Sequence, residues 1–161
     1  MKKILTSAGA LAALAVTTPA DASNTAQANA SVNIVSPLSL TKNTDLNFGT
    51  VVGPFASQVV HVDTTGARNC GGLTCSGTFG AATFTVTGTP SQDVTLTIPA
   101  SVTLNGPGGS LNVDMSTDKP ADPTLSAAGS ASFGVGGKLT IPSGTADGVY
   151  SNTFNVTANY K

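Results

Sequence analysis

Side chains able to do chemistry are few in this chain, and their spacing argues against most of it. The one histidine, His61, sits in Gln58-Val59-Val60-His61-Val62, where Val60 and Val62 fall on the opposite face of an alternating stretch. A general base needs a nucleophile and an orienting acid within hydrogen-bond reach. Asp63 shares the face of His61 at i+2, a spacing that favours a structural contact. The many Ser and Thr stand in no G-x-S-x-G frame, and the chain has no Glu with which to build a glycosidase pair. Asp114, Asp118 and Asp122 offer oxygens of the kind that bind Ca²⁺, but their spacing fits no defined calcium loop, and Lys119, Pro120 and Pro123 intrude. A solvated loop is expected there, with no metal and no cofactor. Gly134-Val135-Gly136-Gly137 precedes no helix whose N-terminus would hold a phosphate, so it is no anion cradle. Cys70 and Cys75 are spaced C-x4-C with no second cysteine pair, which suits a disulfide better than a metal or redox centre. No catalytic residue is assigned, and the chain is not expected to be an enzyme.

The remaining composition fits export. Lys2 and Lys3 precede an apolar run from Ile4 to Val16, and Ala20-Asp21-Ala22 reads as a cleavage site, so residues 1–22 are expected to be a secretory signal and the mature chain to begin near Ser23. The apolar run is shorter than the roughly 20 residues a membrane-spanning helix needs, so no stable membrane anchor is expected. Losing Lys2, Lys3 and Asp21 changes seven basic and eight acidic residues to five and seven, a net charge of −2. So weak a charge gives no electrostatic footprint for nucleic acid. The secreted context also makes a Cys70–Cys75 disulfide the natural state of the pair.

The 139 residues left after removing 22 from 161 suit one domain, residues 23–161. Eighteen Gly, nine Pro, no Trp and abundant Ser, Thr and Val disfavour helices. The chain is expected to be all-β, a single antiparallel β-sandwich of nine to eleven strands. Ala26, Ala28, Ala30, Val32 and Ile34 alternate with polar residues and predict a first strand, within a segment 23–36 that either pairs in its own domain or is donated to another. Leu46–Val52 and Gln58–Val62 flank Gly53-Pro54 and predict a hairpin, as do Thr83–Thr87 and Val94–Ile98 around Gly88–Ser91, and Val102–Leu104 and Leu111–Met115 around Gly106–Gly109.

The last fourteen residues place Phe154, Val156, Ala158 and Tyr160 on one face of a closing strand that starts at the turn ended by Gly148 and includes Tyr150. This stretch resembles the C-terminal strand of chaperone–usher pilins, with Gly148 fourteen places from the end and Tyr160 penultimate. The resemblance implies an immunoglobulin-like, pilin-like sandwich whose last strand is gripped by a periplasmic chaperone. A second resemblance spans nearly the whole mature chain. Leu46, Phe48 and Gly49; Thr87 and Gly88; Gly136, Gly137, Leu139 and Ile141; and Gly148, Tyr150, Val156, Thr157 and Tyr160 are similar to the recurring elements of an uncharacterised family of small secreted proteobacterial β-proteins, a domain of unknown function related to fimbrial and spore-coat-type subunits.

Two functions follow as expectations. One is a structural subunit of a pilus-like or coat-like assembly at the periplasm or cell surface, partnered by itself or by related pilin-like subunits through donor-strand complementation. Its donor would be Ala26–Ile34, its groove edge Gly148–Tyr160. The other is a non-polymerising exported binding module or adhesin that meets glycan or protein through loops 63–80 and 105–126.

Overall fold

The computed structural model describes residues 24–53, 56–119 and 121–161, so the expected signal segment, residues 1–22, lies outside the described residues. The chain falls into two units, residues 1–33 and residues 34–161. In the first, residues 24–33 form no strand and are exposed throughout. Ala26, Ala28, Ala30, Val32 and Ile34 therefore do not form the paired first strand that their alternation predicts. A strand owes its stability to a partner ladder and a covered face, and these residues have neither.

The second unit is all-β and antiparallel, with no helix among the described residues. Its strands are β1 (Ser39–Thr44), β2 (Thr50–Val51), β3 (Gln58–Val62), β4 (Arg68–Asn69), β5 (Cys75–Ser76), β6 (Ala82–Thr87), β7 (Val94–Thr97), β8 (Ser101–Gly106), β9 (Gly109–Thr117), β10 (Ser130–Ile141) and β11 (Thr157–Tyr160). A seven-stranded sheet runs β1-β6-β10-β3-β4, with β9 pairing β10 and β8 pairing β9; β11 pairs β7 and β2 pairs β5 in two smaller sheets.

Of the three expected hairpins, the one around Gly106–Gly109 forms, with Val102 opposite Val113 and Leu104 opposite Leu111. The other two do not. β2 pairs with β5, and β3 with β10 (Val60 opposite Leu139). β6 lies between β1 and β10, and β7 pairs with β11. In each case the backbone ladder forms with a strand distant in sequence and not with the neighbour.

The centre of the molecule is β10. Its side chains alternate between core and exterior as a strand's must, and Phe133, Val135, Leu139 and Ile141 are buried. Gly134 and Gly136, on the other face, are buried as well. A Cβ at Gly134 would collide with the carbonyl of Thr64, and one at Gly136 with that of Val62, so the chain leaving β3 crosses β10 where β10 has no side chains.

Three apolar clusters follow the sheet. Val60, Val62, Val113, Leu139 and Ile141 form one with Phe48 and Leu111; Ala82, Phe84, Leu96, Phe133 and Val135 form the next; Val86, Val94 and Leu125 form the last. Phe84 stacks on Phe133 at 5.4 Å and meets Phe154 edge-on at 6.3 Å, geometries that aromatic pairs favour.

Candidate functional site

Phe154, Val156, Ala158 and Tyr160 are each half-buried, with exposed residues between them. Phe154, Val156 and Ala158 pack on the second cluster, and Ala158 and Tyr160 on the third. The period-two pattern of the last strand is therefore realised on the side the sequence assigns. Its hydrogen bonding is not uniform. Thr157–Tyr160 pairs with Val94–Thr97, and Ser151 bridges Asn105. Between these anchors, residues 152–156 lie in no strand, and among the described residues none of their backbone groups bonds another backbone.

Tyr160 closes the far end of this segment. Its hydroxyl donates to the Ser36 carbonyl at 2.7 Å and accepts from the Thr89 amide at 2.7 Å, while the Ser36 amide donates to Thr89 Oγ1. The penultimate tyrosine thus fixes the point where the chain enters β1. Tyr150 does similar work nearer the turn: its hydroxyl donates to the Ala146 carbonyl at 2.9 Å and accepts from the Gly108 amide, and its ring lies against Gly106. Gly148 has φ +147° and packs on Pro107.

Beside the unpaired backbone lies an open cavity of about 690 Å³. One wall is the stretch from Leu46 to Val51, the other is the stretch from Thr145 to Phe154, and Leu104, Leu111, Val113, Leu139 and Ile141 form part of its apolar lining. The volume is that of a ligand-sized site. Its shape follows from topology, because two chain segments that share a core do not pair with each other.

The first wall buries Phe48 in the first cluster, and its backbone hydrogen bonds run to one neighbouring stretch. Asn47 and Gly80 exchange backbone hydrogen bonds at 2.9 Å, Thr50 and Val51 pair with Ser76 and Cys75, and the Val52 amide donates to the Thr74 carbonyl. Arg68 Nη1 donates to the carbonyls of Phe48 and Ser76, and its guanidinium lies 4.1 Å from the centre of the Phe79 ring. The Cys70–Cys75 disulfide forms as its spacing predicts and joins β5 to the chain leaving β4. Arg68 is not singled out by the sequence, and Leu46, Phe48 and Gly49 stand out there as a strand and as family elements but not as a cavity wall, since these roles depend on contacts across the fold.

The other candidate groups are not gathered. Asp63 Oδ1 accepts from the Thr65 amide and hydroxyl and from the Ala67 amide, so its partner is its own turn and not His61. These hydrogen bonds, the Thr65 hydroxyl first, hold its carboxyl below the usual value. Asp118 accepts from the Gly134 amide, Asp114 from Asn112, and Asp122 from Thr95 and Lys161. The Lys161 ammonium, at 2.9 Å, lowers the Asp122 pKa and has its own raised in return. Among the described residues no three His, Cys, Asp or Glu side chains form a metal-binding group, and no helix is long and apolar enough to cross a membrane.

Residues 38–160 match the model of a protein family described as a domain of unknown function, DUF4402, and the chain belongs to that family. No curated protein matches the chain. No solved structure matches it either.

Proposed function

We propose that this member of a family without an assigned activity is an exported structural subunit of a pilus-like or coat-like surface assembly, with an immunoglobulin-like β-sandwich that is completed by a strand from another copy. The observation that supports this reading is the open apolar cavity beside residues 152–156, whose backbone bonds no other backbone among the described residues. An extended segment laid there would gain main-chain hydrogen bonds from an edge and seat alternate side chains in the cavity. The chain carries such a segment: Val32 and Ile34 are 83% and 85% exposed and stand two residues apart, at the end of an alternating run from Ala26. Burying both would contribute about 3 to 6 kcal/mol, and the alanines add little, so Val32 and Ile34 carry most of the affinity.

The test is assembly of the mature chain, residues 23–161, beside a Val32→Ser/Ile34→Ser variant. Oligomers seen by sedimentation and electron microscopy should be lost in the variant while its monomer keeps the wild-type melting temperature. Assembly that is indifferent to both substitutions would reject the strand-exchange reading.

A second reading draws on another feature. Phe79 is exposed, carries Arg68 on its ring, and helps line a smaller cavity of about 350 Å³ with Asp45, Asn47 and Thr78. An exported module that binds a glycan or protein would use this aromatic platform on the 63–80 loop. Under that reading, Phe79→Ala would abolish capture on a glycan array and leave any assembly intact.

A further inference from the structure

We propose that the Cys70–Cys75 disulfide is a redox gate on the apolar cavity, so that only the oxidised chain holds it open to receive a strand; this rests on the strand-exchange reading above. The 46–51 wall has no hydrogen bond to the 145–154 wall among the described residues. Its backbone partners, at Asn47, Thr50, Val51 and Val52, lie between Thr74 and Gly80.

The 74–80 stretch has little strand pairing, and Cys75 is its side chain that packs on the first cluster. β5 has two residues and pairs only with β2, which also has two. An isolated two-stranded ribbon of that length is not stable alone. The disulfide bonds β5 covalently to Cys70, the residue after β4, and β4 pairs with β3, where His61 faces Asn69 and Val62 faces Arg68. Val60 and Val62 of β3 are fully buried. The bridge therefore carries the rigidity of the core outward to the cavity wall, with Arg68, beside it in β4, bonding both the wall and β5.

Both cysteines are half-buried and the loop between them exposes Gly71 and Gly72, so a small thiol reaches the bridge without unfolding the core. Reduction by a dithiol is balanced: the reagent supplies two electrons and two protons, becomes a cyclic disulfide, and leaves two protein thiols. The closed loop is short, and cross-linking a short loop adds modestly to global stability. The loss on reduction should then fall on the wall.

The experiment is amide hydrogen exchange on the mature chain, oxidised, reduced with dithiothreitol, and as the Cys70→Ser/Cys75→Ser variant without reductant, with assembly followed in parallel. Exchange at Asn47–Val52 should accelerate at least tenfold in the reduced and variant forms, with Val60, Val62 and Leu139 unchanged, and assembly should fall with it. Unchanged exchange at Asn47–Val52 would overturn the gate. So would equal acceleration in wall and core, which would make the bridge a global staple. If the oxidised chain forms no assembly, strand exchange fails as a function, and the exchange pattern still decides whether the disulfide holds the cavity wall.

Discussion

Tyr160 shows how much one side chain near a chain end can organise. A single hydroxyl serves two loops, the Ser36 carbonyl before β1 and the Thr89 amide after β6. Tyr160→Phe keeps the ring packed and removes both bonds, leaving the half-buried Thr89 amide without a partner. It should cost about 1 to 3 kcal/mol in urea unfolding, with the slope against denaturant unchanged. Asp63 and Asp122 make a second prediction at this scale. Both carboxyls are held below the ordinary 3.8 by hydrogen bonds, so each stabilises the fold above that value and ceases to as pH falls through its lowered folded-state pKa. Lys161 acts in the opposite sense, its raised pKa favouring the fold until pH climbs past it. Thermal stability should therefore fall on acidification below about pH 4, and Asp63→Asn should flatten that fall. Both groups are exposed, so added salt should reduce the Asp122–Lys161 share of the effect.

Among the elements, β10 depends on what it lacks. Gly136 lets the chain leaving β3 cross at contact distance, and Gly136→Ala would push a methyl into the Val62 carbonyl and the Asp63 backbone. Loss of about 1 to 3 kcal/mol is expected, read by chemical denaturation, with Gly53→Ala, which meets nothing, as the neutral control. The sequence discloses some of this and not the rest, for physical reasons. Period-two alternation is a local property, so the buried face of Phe154, Val156, Ala158 and Tyr160 is legible, as is the Val102–Val113 hairpin with its tight Gly-rich turn. Partner choice is not local. Gly53-Pro54 is a turn signal in the sequence, but whether the flanking strands pair depends on which strand ladders with Gln58–Val62, and that strand is β10. The alternation of Ala26–Ile34 is equally local and equally clear, yet alternation without a partner gives no strand. The cavity was least legible of all, because its walls lie nearly one hundred residues apart in sequence and are defined by not pairing.

At the scale of the whole molecule, the ends of the chain decide what strand exchange can build. Ser36 is fixed beside Tyr160, while the cavity is lined by Phe154, six residues earlier in the chain. Ile34 stands two residues before Ser36 and reaches no more than about 7 Å from it. Under the proposed strand exchange the occupant comes from another copy, and a contact between unlike surfaces builds an open chain unless its rotation closes a ring. The products should be open-ended oligomers whose length grows with protein concentration, and not discrete dimers.

The measurement that bears most directly on this account is cross-linking of the mature chain between a photoreactive residue placed at Ile34 and the cavity of a second copy, located by mass spectrometry with one copy isotope-labelled. The account predicts links from Ile34 of one copy to residues lining the cavity, such as Val113, Leu139 or Phe154, of a differently labelled copy. Links confined to the same copy, or a chain that stays monomeric with its cavity unreached at every concentration, would contradict it.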